Sequence, residues 1–179
     1  AAFLHASDVL TGDDASASPN IASLVRDGQE VVVQVVKDPL GTKGARLTMN
    51  LSIPSRYLVY IPGMTTIGIS QRIEEEEERR RLRDAIAKFS TEREVVGGCI
   101  ARTAAEGADA MALRADMMFL LRLWESVQSR AGASGARERV HEDLPLALRA
   151  LRDLIGPEVE KIRIDSRSTC EKAQEFAER

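Results

Sequence analysis

The chain has 179 residues, 44% hydrophobic and 30% charged, which suits a globular protein of one large or two small domains with true cores. A formal net charge of −3 argues against a uniformly basic nucleic-acid protein, and an aromatic content of 4% argues against a surface built mainly of stacked rings. Any nucleic-acid contact must come from a local cationic face. No secretory leader or apolar run of membrane-spanning length is present, so a cytoplasmic location and no membrane contact are expected. Cys99 and Cys170 lie far apart without metal-ligand spacing and are expected to be reduced core thiols.

In chain order, Ala1-Ala2-Phe3-Leu4-His5 reads as the interior of a strand. Residues 11–20, rich in Gly, Asp, Ser, Pro and Asn, read as a surface loop, and 21–25 as a short helical turn. Residues 29–37 have the β-branched density of a strand, which Pro39 and Gly41 break. Residues 45–53 alternate Leu47, Met49, Leu51 and Ile53 on one face, the period of a half-buried strand. Short strands joined by Gly and Pro turns suggest a small barrel, here missing its opening strands.

From Arg56 the texture changes to α/β. Residues 57–61 and 67–69 read as strands, and 70–89 as a helix with Ile73, Leu82, Ile86 and Phe89 apolar. Glu75, Glu76 and Glu77 lie four residues before Arg79, Arg80 and Arg81, three favourable pairs on a solvated face. Residues 95–101 read as a strand weakened by Gly97 and Gly98. The next helix carries Leu113, Met117, Leu120, Leu121, Trp124 and Val127 as a core stripe. A small-residue linker at 131–136 is followed by a helix at 144–155, with Asp143 as its cap and Pro145 in its first turn. A strand is expected at 160–165, and Ser168 with Glu171 as the capping box of a last helix.

The run Ala101-Arg102-Thr103-Ala104-Ala105-Glu106-Gly107 follows an apolar stretch and opens the long helix. An Arg fork, a hydroxyl and the free N–H groups of a helix start suit one phosphate. The alternative is a structural ion pair for Arg102 and a helix cap for Thr103. His5 and His141 have no nucleophile or base partner, and no paired Asp arrangement suited to Mg²⁺ is visible, so no catalytic residue is assigned.

Residues 31–48, Arg56-Tyr57-Leu58-Val59-Tyr60-Ile61-Pro62, Ser70-Gln71-Arg72-Ile73-Glu74, the Arg102–Thr103 run and Ile162-Arg163-Ile164-Asp165-Ser166-Arg167 together resemble the ribonuclease E/G family over essentially the whole chain. The resemblance implies an α+β chain: a partial OB-fold barrel that binds RNA (1–54), a 5′-monophosphate sensor (55–140) and part of an RNase H-like region (141–179). It implies a phosphate grip by Arg102 and Thr103, with the main chain near Ser55 and the side chain of Val59 cradling the terminal nucleotide. It places Phe3 and Lys43, and more weakly Lys37 and Arg46, on an RNA-facing surface; core packing is the alternative for Phe3. The implied ligand is single-stranded 5′-monophosphorylated RNA, drawn from ribosomal RNA precursors and messenger RNA. The cleaving Mg²⁺ site, and a Zn²⁺ link that joins subunits into a homo-oligomer, belong to a nuclease part outside this sequence. A stand-alone RNA-binding or assembly module without a nuclease is the rival reading.

Overall fold

A computed structural model describes residues 2–9, 20–156 and 158–177. Most of the loop expected at 11–20 lies outside them. The described residues form a mixed α/β fold with two small sheets and five α-helices.

The first sheet has strand order β1-β3-β2. β1 (Ala2–Leu4) runs parallel to β3 (Ala45–Thr48), and β2 (Gln34–Lys37) pairs antiparallel to β3 with a bulge between Val35 and Lys37. These strands do not close into a barrel among the described residues. The long strand expected at 29–37 contracts to its last four residues, and α1 (Ile21–Leu24), capped by Asn20, supplies the expected helical turn.

The second sheet has order β4-β5-β7-β6, from β4 (Ile53–Pro54), β5 (Leu58–Ile61), β6 (Ile67–Ile69) and β7 (Gly98–Ala101). β4–β5 and β5–β7 are antiparallel, whereas β6 and β7 are parallel and joined through α2 (Glu76–Glu92). Alternation along the strands sends Leu58, Tyr60, Ile69, Cys99 and Ala101 to one face. There α2 contributes Leu82, Ile86 and Phe89, and α3 (Ala110–Ala133) contributes Leu113, Met117 and Leu120, making one core. The glycines that weaken β7 as a strand are steric requirements: a Cβ on Gly98 would lie 2.6 Å from both Met64 Cβ and Thr66 O.

Several sequence expectations are corrected. α2 starts at Glu76 rather than at residue 70, because residues 70–73 form a turn in which Ile73 N–H donates to Ser70 O. Arg79 reaches back to the carbonyls of Ser70 and Ile73, at 2.7 and 2.9 Å, and holds that turn closed. The three i,i+4 pairs are replaced by i,i+3 pairs, Glu78–Arg81 at 2.6 Å and Glu76–Arg79 at 3.7 Å. α3 runs through Ala133, into the expected linker. α4 is Leu146–Leu154 with Pro145 at its N-cap; Asp143 accepts from Leu144 N–H and lies 3.8 Å from Arg149 Nη1, but caps no helix amide. No strand forms at 160–165, where every residue but Ile164 is exposed and no neighbouring strand offers a ladder. α5 (Arg167–Ala177) is capped by Ser166, whose Oγ accepts from Thr169 N–H, rather than by Ser168.

Candidate nucleic-acid interface

The end of β7 delivers the chain to Arg102, whose N–H donates to Tyr57 O at 2.8 Å and extends the β5–β7 pairing by one bond. A 3₁₀ turn at Thr103–Ala105 follows, and Gly107 (φ +72°) turns the chain towards α3, which starts eight residues after Arg102 behind its own Asp109 cap. The run at 102–103 therefore lies at a strand end rather than at the start of the long helix, and Thr103 caps nothing. Its Oγ1 instead lies 3.1 Å from Ser70 Oγ.

The guanidinium of Arg102 is held on one edge. Nη1 donates to Ser55 O, to Arg56 O at 3.2 Å and to Asp153 Oδ1 at 3.0 Å, and Nη2 donates to Asp153 Oδ2 at 3.0 Å. Arg152 grips the same carboxylate through Nε (2.8 Å) and Nη2 (3.2 Å), and its Nη1 reaches Pro54 O at 3.2 Å. Hydrogen bonds from Arg152, then from Arg102, hold the Asp153 carboxyl far below the usual carboxylate range against the opposing effect of burial. Arg56 closes the set, donating to Ile155 O at 2.8 Å. The ion-pair alternative for Arg102 is thus realised, and a cleft remains beside it.

That cleft is open, about 470 Å³ in volume, and bounded by Ser70, Arg72, Arg102, Thr103 and Ala104, with Ile100 on its floor. Arg72 is exposed, and its side chain has no hydrogen-bond or ion-pair partner among the described residues. Val59 pairs with Ile100 across β5 and β7, and Gly68 pairs with Ile100 on the other side, so the three share the sheet face opposite the core. A Cβ at Gly68 would come within 3.2 Å of Ile100, so glycine keeps this row low. Ser55 does not line the cleft. It is 1% exposed, and its carbonyl sits behind Arg102.

Sequence reasoning missed Asp116. Its Oδ2 accepts from Ser55 Oγ at 2.5 Å and from the amides of Tyr57 and Leu58 at 3.0 Å each, fixing the turn whose carbonyls hold Arg102. The signal was present: a carboxylate three residues after Leu113 and beside Met117 lies within the apolar stripe of α3, where it needs partners. Arg102 and Arg152 share the single Asp153 carboxylate, Arg56 donates to Ile155 O and Arg72 lies exposed at the cleft, so this end gathers positive charge on a chain of net negative charge.

On the first sheet, Phe3, Arg46 and Lys37 are direct cross-strand partners in one row, and Lys43 sits exposed in the β2–β3 turn. Phe3 is 50% exposed, so it is not packed in a core. Arg46 is partly spoken for by Asp8 at 2.9 Å, whereas Lys37 is exposed. Among the described residues no three or more His, Cys, Asp or Glu side chains cluster as a metal site. No helix among them is long and apolar enough to cross a membrane.

Fold and site together define a mixed α/β protein with an open, arginine-lined cleft at the end of its four-stranded sheet. The chain belongs to the ribonuclease E/G family, which its residues 52–179 match. It is 47% identical to ribonuclease G of Escherichia coli (strain K12) over 98% of its own length, and 45% identical to ribonuclease G of Haemophilus influenzae over 99%. Ribonuclease E of a Nostoc species is 34% identical over 97% of the chain and 25% of that protein. The chain spans 37% of the length of the ribonuclease G relatives.

Proposed function

We propose that this chain is the RNA-recognition part of an endoribonuclease, which anchors single-stranded RNA by its 5′ monophosphate while other sequence performs metal-dependent hydrolysis of the phosphodiester. The observation that carries this reading is the cleft. Arg102 keeps its Nε–H and one Nη2–H unpaired, Arg72 brings a second unpaired guanidinium, and Ser70 and Thr103 bring hydroxyls. These donors suit the oxygens of one phosphate, and Ile100 offers the attached nucleotide an apolar floor, with Val59 and Gly68 beside it in the same cross-strand row though not lining the cleft. The Ser55 main chain serves as the backing that holds Arg102.

In this reading the three-stranded sheet is part of an OB-type barrel, on which Phe3 stacks a base while Lys37 and Lys43 meet phosphates, with Arg46 contributing less because of Asp8. The 55–140 segment is the sensor and the 141–179 segment belongs to an RNase H-like region. The full-length protein, by the same family reading, is a cytoplasmic homo-oligomer acting on ribosomal RNA precursors and messenger RNA.

The deciding experiment titrates this chain with three short RNAs differing only in a 5′ hydroxyl, monophosphate or triphosphate. The monophosphate should bind tightest, the triphosphate being opposed by size and uncompensated charge. Arg102→Ala should remove that preference, a loss on the order of 1.5–3 kcal/mol for hydrogen bonds to a charged group. Equal affinity for the three ends would refute the assignment.

A further inference from the structure

The guanidinium of Arg102 has two forks, one formed by Nη1 and Nη2 and the other by Nε and Nη2. The first is filled by the Asp153 carboxylate, one oxygen to each nitrogen at 3.0 Å, with the Ser55 and Arg56 carbonyls also on Nη1. The second makes no hydrogen bond among the described residues. No buried side-chain nitrogen or oxygen among them lacks a partner, so Nε, which has none, reaches solvent rather than being stranded inside. Arg102 lines the cleft and Asp153 does not. The carboxylate therefore grips the guanidinium from the side away from the cleft.

From this geometry we infer that Asp153 is a positioning residue for 5′-end recognition: it clamps the Nη1–Nη2 fork so that the Nε–Nη2 fork of Arg102 faces the terminal phosphate. The inference rests on the proposed reading of the cleft. A free arginine side chain has four torsions to immobilise, and ordering them before the ligand arrives removes that cost from binding. Charge does not oppose the arrangement, because Arg152 is bound to the same carboxylate and balances its charge, which leaves that of Arg102 for the phosphate. Asp153 lies on α4, 51 residues from Arg102 and outside the segment that sequence reasoning gave to the sensor. α4 buries none of its residues fully, so this polar set, with Arg56 on Ile155 O, is its fastening to the β4–β5 turn. The 5′ cleft is then assembled from both segments.

Asp153→Asn tests the clamp, since it keeps the size and one acceptor but sets an amide donor against a guanidinium donor. The chain and its variant are titrated with one short RNA carrying either a 5′ monophosphate or a 5′ hydroxyl. The monophosphate affinity should fall about tenfold, the weight of one charge-assisted bond, with the hydroxyl affinity unchanged. Asp153→Glu should recover part of the preference, and in an Arg102→Ala background Asp153→Asn should change it no further. A preference that persists or rises in Asp153→Asn overturns the inference, a rise identifying Asp153 as a competitor of the phosphate. Equal weakening towards both RNAs overturns it too, by revealing a purely structural role. If the unsubstituted chain shows no monophosphate preference, the proposed function itself fails and this inference with it. A readout needing no variant at Asp153 is the ¹⁵N NMR spectrum of Arg102: the monophosphate RNA should shift Nε–H and leave Nη1 in place, and the reverse pattern would overturn the clamp.

Discussion

Cys99 projects from β7 into the core, 3% exposed, and burial first, then the charge of Asp116, pushes its thiol up to about 12. Cys170, on α5, is only half-buried, so the expectation of two core thiols holds for one of them. At pH 8 a small alkylating reagent should modify Cys170 in the folded chain and reach Cys99 only after denaturation. Mass spectrometry of timed samples checks this, and comparable native rates at both sites would contradict the burial argument. That Asp116 needs partners was legible in the stripe of α3, but which partners it finds was not. Arg102 stands in a motif, whereas the role of Asp116 depends on two backbone amides brought to it by a turn 58 and 59 residues away in sequence.

Among the elements, α3 was the most legible, because Leu113, Met117 and Leu120 follow a 3.6-residue period and all three are buried. β5 and β6 were read nearly to the residue for the parallel reason of alternation and Gly/Pro bounds. The start of α2 was illegible because a side chain from its own second turn, Arg79, captures the carbonyls of Ser70 and Ile73. The segment at 160–165 looks like a strand in pattern, but strands exist only with a ladder partner, which composition does not reveal. The β4–β5 connection is the element on which the cleft depends, and it has a specific weakness. Asp116→Ala would strand the amides of Tyr57 and Leu58, while the Ser55 hydroxyl keeps Leu58 O as its acceptor, at a cost of roughly 1–3 kcal/mol for unsatisfied buried groups. Urea unfolding should show a lower midpoint of that size, together with weaker monophosphate preference as the backing of Arg102 loosens. An unchanged midpoint would mean that the turn is held by other contacts.

For the whole molecule, net charge and local charge point in opposite directions, so RNA affinity should rest on few cations and respond to each one. Lys43 is exposed and contributes one such contact in the proposed reading. Lys43→Ala should flatten the dependence of log affinity on log salt by about one contact, which titrations between low and moderate salt would resolve. An unchanged slope would take Lys43 off the interface. The fold's acid response follows from carboxylates that join separate elements. Glu78, on α2, accepts from Arg81 at 2.6 and 2.7 Å and from Gly107 N–H at 2.9 Å, tying α2 to the loop that enters α3. The Arg81 hydrogen bonds first, and the Gly107 amide second, bring its carboxyl down to about 2 from an ordinary value of 4.5. Asp153, held down by Arg152 and Arg102, shifts in the same direction. A depressed folded-state value means that the unfolded chain takes up the proton first. The stabilisation from Glu78 is then complete above about pH 4.5 and is lost as pH falls towards 2. Urea midpoints measured across that window should decline steadily in the unsubstituted chain. Glu78→Gln should start from a lower midpoint at neutral pH, decline less steeply, and meet the parent near pH 2, where the parent's carboxyl is itself being protonated. Parallel declines in the two proteins would show that the bonds to Arg81 and Gly107 add nothing to stability, and that the acid response comes from other carboxylates.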